Sequence, residues 1–267
     1  MSDPAPLPPA PGDPVLGPEA LASALAHDLR APLRAIDGFA RQIERAPDGP
    51  DTAAHAARIR AAAARMERLV EKLVALLRIE QRALRPQPLD LPLLAEWTAA
   101  ELQDLTPGPA LELHLEADVP LTGDETLVRR ILAELLANAR QFAQPAQPAR
   151  VELHARREDG AVALDLRDHG IGFEAADAVR LFVPFQRLHG HEQGAGDGLG
   201  LAIVRAAARR HGGEAWAEAG AGGGACFHVT VRDLAPDPAP ADAGGPDSPV
   251  WATARDLAPD PAPADAP

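Results

Sequence analysis

The sequence is short of several things, and each shortage narrows what the chain can be. Cys226 is the only cysteine among 267 residues, so no intramolecular disulfide can form. It lies in the alternating run Ala225-Cys226-Phe227-His228-Val229, where a buried small hydrophobe is the expectation. Aromatic residues make up only 3%, which leaves the core to Leu, Val, Ile and Ala. Lys72 is the sole lysine, so nearly all positive charge is arginine. Acidic residues outnumber basic ones by 39 to 26, for a formal net charge of −13, which disfavours a nucleic-acid binder because such surfaces are usually basic. No run approaches the roughly 18 apolar residues of a membrane span. The opening Met1-Ser2-Asp3-Pro4 lacks the basic and apolar regions of a secretory signal. A cytoplasmic protein without membrane insertion is expected.

What is present is 46% apolar residues, enough for one large domain or two modest ones. Residues 1–18 are rich in Pro, Gly and Ala without periodicity and read as a disordered arm. Residues 234–267 read as a disordered Pro/Ala/Asp tail, in which Arg232–Pro238 returns as Arg255–Pro261. Two copies do not make a solenoid.

Residues 19–84 read as two long helices. Leu21, Leu25, Leu29, Leu33, Ile36, Phe39 and Ile43 recur every three or four residues, and Ile59, Ala62, Met66, Leu69, Leu73 and Leu76 form a heptad seam. Ala46-Pro47-Asp48-Gly49-Pro50-Asp51 is the turn between them. A lone hairpin cannot bury two apolar stripes, whereas two hairpins in a four-helix bundle can, so a homodimer is predicted. Arg85-Pro86-Gln87-Pro88 breaks the second helix and marks a boundary. Beyond it, residues 89–233 mix helices near Leu91–Leu105, Glu125–Phe142 and Leu199–His211 with alternating strands. Those strands are Leu111–Leu115, Val151–Ala155, Ala161–Leu166 after a turn at Asp159-Gly160, and Val229–Val231 closing the sheet. The fold class is α+β: a helical hairpin forming a dimeric four-helix bundle, then an α/β sandwich with helices on one sheet face.

His27 lies between Leu25 and Leu29, about 200° around the helix from each, so it points away from the seam. An exposed helical histidine is ordinarily only a surface residue. Here Asp28 adjoins it and Pro32 sits inside the helical pattern. A neutral imidazole can attack through one nitrogen while a carboxylate holds the N–H of the other, fixing the tautomer and stabilising the cation that develops. His27-Asp28-Leu29-Arg30-Ala31-Pro32-Leu33 resembles the phosphoacceptor box of sensor histidine kinases, and Arg34–Phe39 looks most like the phytochrome-type soluble members. The family's phosphatase activity usually needs an amide or hydroxyl where Ala31 stands, so that route is not expected here.

Four further boxes follow in the family's order, and the resemblance runs from about Ala20 to Val231. In Leu132–Phe142, Glu134 and Asn138 share a helix face. The resemblance implies that Asn138 binds Mg²⁺ bridging ATP phosphates. Glu134 stands where the family often has Asn and is similar to the water-activating glutamate of gyrase-type ATPases. It is expected to polarise the histidine or join Asn138 on the metal. Gln141 replaces the family's usual Lys and loses a phosphate-pairing charge, which Arg140 would restore by turning inward. Phe142 is expected against the adenine ring.

In Asp168-His169-Gly170-Ile171-Gly172, the resemblance implies that the Asp168 carboxylate accepts the adenine amine while Gly170 and Gly172 let backbone pass close to the base. In Leu181–His189, Phe182 and Phe185 are expected to anchor a lid, to fill ordinary core, or both, and Arg187 is expected to reach either the γ-phosphate or the bundle. In Gly194–Val204, Gly196, Gly198, Leu199 and Gly200 open a helix whose N–H groups face the phosphates. Asp197, at a position normally Thr or Ser, repels triphosphate unless it turns to solvent or joins the metal shell.

The resemblance implies a Bergerat ATP-binding sandwich and an ATP- and Mg²⁺-dependent histidine kinase. Such a kinase phosphorylates His27 and passes the group to the receiver-domain aspartate of a response regulator. The expected partners are a second copy, that regulator and a separate sensor protein. The alternative is a pseudokinase that serves as a dimeric scaffold or phosphotransfer protein, motivated by Gln141 and Asp197.

Overall fold

The hairpin comes first in the computed structural model, which describes residues 18–187, 196–220 and 222–234. All of these fall within one of the chain's two compact units, Met1–Ala235. The expected arm apart from Pro18, which opens a helix, nearly all of the tail, Leu188, His189, Gly194 and Ala195 lie outside the described residues. Helix α1 (Pro18–Arg45) and helix α2 (Thr52–Gln81) pack against each other. The turn between them is tied by the Thr52 hydroxyl, which donates to the carbonyls of Ala46 (3.1 Å) and Pro47 (3.0 Å). Phe39 stacks on His55 at 5.5 Å, with the Arg58 guanidinium 5.1 Å from the Phe39 ring. Helix α1 runs on through Pro32, so the Asp28 carbonyl cannot receive the usual bond from residue 32.

Little of the hairpin is closed off. Pro32, Leu69 and Ile79 are buried, whereas Leu25, Leu29, Ile36, Ile59, Met66 and Leu73 keep part of their surface. Ile79 joins the apolar cluster of the following region, beside Leu91 and Leu127. The join is also polar. The Arg82 carbonyl accepts from Arg210 Nε (3.0 Å) and Nη2 (2.6 Å).

The sandwich holds helices α3 (Leu91–Leu105), α4 (Glu125–Gln141) and α5 (Gly200–Arg210) against one face of a five-stranded sheet. Its strands are β2 (Leu111–Glu116), β4 (Ala149–Glu158), β5 (Ala161–Asp168), β6 (Ala215–Ala219) and β7 (Ala225–Arg232), in the order β2-β4-β5-β7-β6. Only the β2–β4 pair is parallel. The β4–β5 hairpin turns at Asp159 (φ 42°) and Gly160 (φ 76°), the left-handed pair that suits a tight two-residue hairpin turn. Leu136, Leu166, Ile203 and Val231 are wholly buried between the layers. Asp124 and Asp90 cap α4 and α3, accepting from Leu127 N–H (3.3 Å) and Leu93 N–H (2.9 Å).

Three expectations need correction. Arg85–Pro88 is not only a break, because β1 (Pro86–Leu89) pairs antiparallel with β3 (Leu121–Asp124). A two-stranded ribbon tolerates prolines whose missing N–H groups face away from the partner. Residues Val229–Val231 do not close the sheet, since β6 lies outside β7 as its edge. Cys226 is only partly buried: Ala225, Phe227, Val229 and Val231 take the inward positions, so the pleat turns Cys226 to the open face. Among the described residues no helix is long and apolar enough to cross a membrane.

Candidate active site

The sandwich holds an open cleft of about 910 Å³ between α4, the segment after β5, and the start of α5. Its wall includes Glu134, Asn138, Gln141 and Phe142 from α4 and its C-terminal end, Asp168 and Gly172 from the turn after β5, and Gly196, Asp197, Gly198 and Gly200. With Gln186 and Arg187 from the segment between Gly172 and Gly196, all four sequence boxes thus converge. Phe173, Leu181, Leu201 and Phe227 complete the apolar side.

Asp168 ends β5 and is buried. Its Oδ1 accepts from the N–H groups of Gly170 (2.9 Å) and Ala225 (3.2 Å). Burial pushes its carboxyl above the usual aspartate range, against the opposing pull of those donors. The carboxylate is therefore fixed in direction before any base arrives. Gly172 (φ 70°) is required by space as well as by angle, because an added Cβ would sit 2.8 Å from the Gly224 carbonyl oxygen.

Asn138 and Phe142 lie one turn apart, the Phe142 N–H donating to the Asn138 carbonyl at 3.0 Å. Glu134 is buried, with Oε1 2.8 Å from Arg130 and Oε2 3.1 Å from Lys72. Both of its oxygens are thus engaged by cations. Gln141 lies along the glycine loop, where a Cβ at Gly196 would meet its Oε1 at 2.8 Å. Asp197 lines the cleft and is largely buried, so it does not turn to solvent.

Several expected site residues are elsewhere. Arg140 does not turn inward. Its Nε donates to the Pro109 carbonyl (2.9 Å), and its Nη1 to the Leu102 carbonyl (2.7 Å) and the Thr106 hydroxyl (2.9 Å). It therefore locks the α3–β2 connection, and the charge lost at Gln141 is not restored from that position. Gly170, Phe185 and Leu199 do not line the cleft. Gly170 passes against the Phe142 carbonyl, which an added Cβ would meet at 2.3 Å. Phe185 (φ 65°) donates its N–H to the Gly198 carbonyl at 2.7 Å, while Leu199 is buried beneath. These three are props for the loops that carry Arg187 and the glycines.

On the hairpin, the His27 side chain is 79% exposed, and its Nδ1 lies 3.2 Å from Asp28 Oδ1. The ring's carboxylate neighbour is thus Asp28 and not Glu134. Asp28 Oδ2 is held by Arg187 Nη2, and Arg187 also lines the cleft. Of its two expected roles Arg187 adopts contact with the hairpin, and its Nε is buried without an acceptor among the described residues.

Sequence reasoning passed over Lys72, which comes from α2 yet lines the cleft. Its one signal was its rarity, which carries no spatial information until α2 is seen to pack beside α5.

A phosphoacceptor-type helical hairpin joined to a nucleotide-class sandwich defines a two-part transmitter. Residues 19–82 match the His Kinase A (phospho-acceptor) domain family, and residues 123–235 match the histidine kinase-, DNA gyrase B- and HSP90-like ATPase family. The sensor protein KdpD of Escherichia coli K12 is 34% identical over 82% of this chain and 25% of its own length. A bacteriophytochrome of Pseudomonas aeruginosa is 30% identical over 72% of this chain and 26% of its own. Among solved structures, the histidine kinase ThkA in complex with the response regulator protein TrrA aligns with a TM-score of 0.61 at 19% identity. That alignment covers 80% of this chain and 61% of ThkA. The chain belongs to the sensor histidine kinases and carries their transmitter core. It spans about a quarter of the length of the two curated relatives named here.

Proposed function

We propose that the chain is an ATP-dependent protein histidine kinase that phosphorylates its own His27 and then transfers the group to an aspartate of a response regulator. One observation carries the reading: Arg187 belongs to the cleft wall and at the same time holds Asp28, the carboxylate paired with the exposed His27 ring. We assign residues 19–84 to dimerisation and histidine phosphotransfer, and 89–233 to catalysis.

Asp168 accepts the adenine amine, Phe142 lies against the ring, and the N–H groups at the start of α5 face the phosphates. Asn138 offers an amide oxygen, a hard ligand suited to Mg²⁺. Among the described residues no cluster of three or more His, Cys, Asp or Glu side chains forms a metal cage. Asn138 would hold Mg²⁺, and Glu134 would join it on the oxygen that gives up its cation. Mg²⁺ would supply neutralisation of phosphate charge.

Nδ1 of His27 faces Asp28, which leaves Nε2 as the nucleophile. Nε2 bonds to the γ-phosphorus, the bond to the β,γ-bridging oxygen breaks, and ADP departs with that electron pair. Asp28 holds the Nδ1 proton and stabilises the imidazolium. Positioning supplies most of the acceleration. The receiver-domain aspartate then displaces the histidine nitrogen at phosphorus. The ThkA–TrrA complex supports such a partner, and the half-exposed seam of α1 and α2 supports a homodimer.

Incubation with γ-labelled ATP tests the assignment. Acid-labile, alkali-stable label that disappears in His27→Ala is the expected result, and label persisting in that variant refutes it.

A second reading has its own observation. Asp197 puts an additional carboxylate in the cleft, which favours a pseudokinase scaffold with little nucleotide affinity. Calorimetry with a non-hydrolysable ATP analogue separates the two, because absent binding selects the scaffold.

A further inference from the structure

The cleft is oddly equipped for a polyanion. Its described wall contains three carboxylates, Glu134, Asp168 and Asp197, and only two cations, Lys72 and Arg187. Arg187 is already committed to Asp28. Lys72 is committed to Glu134 at 3.1 Å, but the place where they meet is informative. A side-chain carbon added at Gly200, the first residue of α5, would lie 2.8 Å from Glu134 Oε2. The carboxylate oxygen that Lys72 touches therefore stands at the N-terminal end of α5, beside the glycine segment. Such a position favours anions because unpaired N–H groups and the helix dipole converge there. Lys72 thus already pairs with an anionic oxygen at the point where a phosphate would come.

We propose that Lys72, a residue of the phosphoacceptor hairpin, is a terminal-phosphate ligand of the nucleotide site. It would leave Glu134 Oε2 for the γ-phosphoryl oxygens when a nucleoside triphosphate binds. The proposal rests on the reading of the cleft as an ATP site.

The exchange is favourable on charge grounds. Glu134 keeps its second cation, Arg130, 2.8 Å from Oε1, so releasing Lys72 does not strand a buried carboxylate. The phosphate gains an ammonium donor in a partly desolvated site, where such contacts are strong. One consequence is structural. The phosphate pocket is incomplete in the isolated sandwich and becomes complete only when α2 lies against α4 and α5. A diphosphate, lacking the third group, leaves Lys72 on Glu134. Triphosphate binding is therefore coupled to the seating of the hairpin, and diphosphate binding is not.

The test uses the full chain, calorimetry, Mg-ADP, and a non-hydrolysable ATP analogue. Lys72→Gln is expected to weaken the triphosphate analogue by about tenfold, the scale of one charge-assisted contact, and ADP by less than about twofold. Lys72→Arg is expected to recover part of the difference. Equal losses for both nucleotides, or no loss for the analogue, overturn the proposal while leaving the ATP site intact. If the unmodified chain binds neither nucleotide, the ATP reading itself fails and the proposal with it.

A second measurement needs no variant, because Lys72 is the only lysine. Acylation of the unmodified protein with an amine-selective ester, read by mass spectrometry against the N-terminal amine, reports on that one side chain. Stronger protection by the triphosphate analogue than by ADP is expected. Identical labelling with the two nucleotides overturns it.

Discussion

The hairpin and the sandwich obey different rules, although one chain builds both. In the sandwich, the central apolar positions are closed off within the chain: Val128, Ile131, Leu136, Leu166, Ile203 and Val204 are all sealed, although Trp97 and Leu105 on α3 stay exposed. In the hairpin, the heptad positions Ile59, Ala62, Met66 and Leu73 stay partly open. The first region is a finished object and the second is half of one. Catalytic equipment divides the same way. The sandwich holds side chains fixed in direction, such as Asp168 under two N–H donors, whereas the hairpin presents a solvent-facing ring. The proposed phosphoacceptor would have to be reached by successive partners, and it stands on the part that is not enclosed.

The strongest way to break this comparison is to remove one leucine from each region. Leu136→Ala leaves a cavity in a sealed core and should cost about 3–4 kcal/mol in a denaturant titration. Leu73→Ala should cost the single chain far less and appear instead as a weakened dimer in sedimentation at low protein concentration. Equal losses of monomer stability in the two variants would show that the hairpin closes its own seam.

Arg140→Ala comes next. It removes donors from the Pro109 and Leu102 carbonyls and should destabilise the sandwich by about 2–3 kcal/mol. Nucleotide affinity at a temperature where the variant stays folded should change by less than about threefold. A large affinity loss with unchanged stability would return Arg140 to the site.

The smallest effect comes from acid. His211 is buried, accepts the Asp124 N–H through Nε2 (3.0 Å), and donates from Nδ1 to the Ala207 carbonyl (3.0 Å). Accepting through Nε2 needs the neutral ring, and burial lowers its pKa from the ordinary 6.5, against the opposing pull of the Ala207 bond. The unfolded chain then takes up the proton first as pH falls. This share of stability is present in full above pH 6.5 and drains away below it, by up to about 1.4 kcal/mol per pH unit. Denaturation midpoints at pH 7.5 and 5.5 measure it, and His211→Gln should flatten the slope. A midpoint that rises on acidification would contradict the neutral assignment.

Much of this was legible beforehand, for physical reasons. Leu91–Leu105 and the hairpin around Asp159-Gly160 announce themselves by periodicity and turn chemistry, which are local. The ordered series Asn138, Asp168, Gly196–Gly200 marks the cleft because its order and spacing resemble the family's boxes, with backbone requirements of their own only at glycines such as Gly172 and Gly198. What stayed hidden depends on the third dimension. Strand β1 is masked by two prolines, and β6 by an inverted alternation in which the small Ala215 and Ala217 face inward and Trp216 and Glu218 face out. Arg140 and Gln141 are neighbours, yet the helix turns one to the back of the sandwich and the other to the cleft. Cys226 shows that an alternating run reveals two faces without saying which is inside.

The helix that begins at the glycine segment ends at the hairpin. From Gly200 to Arg210 is 11 residues, a stiff rod of about 16 Å. At its far end the Arg210 guanidinium grips the Arg82 carbonyl just past the last turn of α2. One rigid helix therefore joins the foot of α2 to the glycines of the cleft wall, so the two are braced by the same piece of backbone.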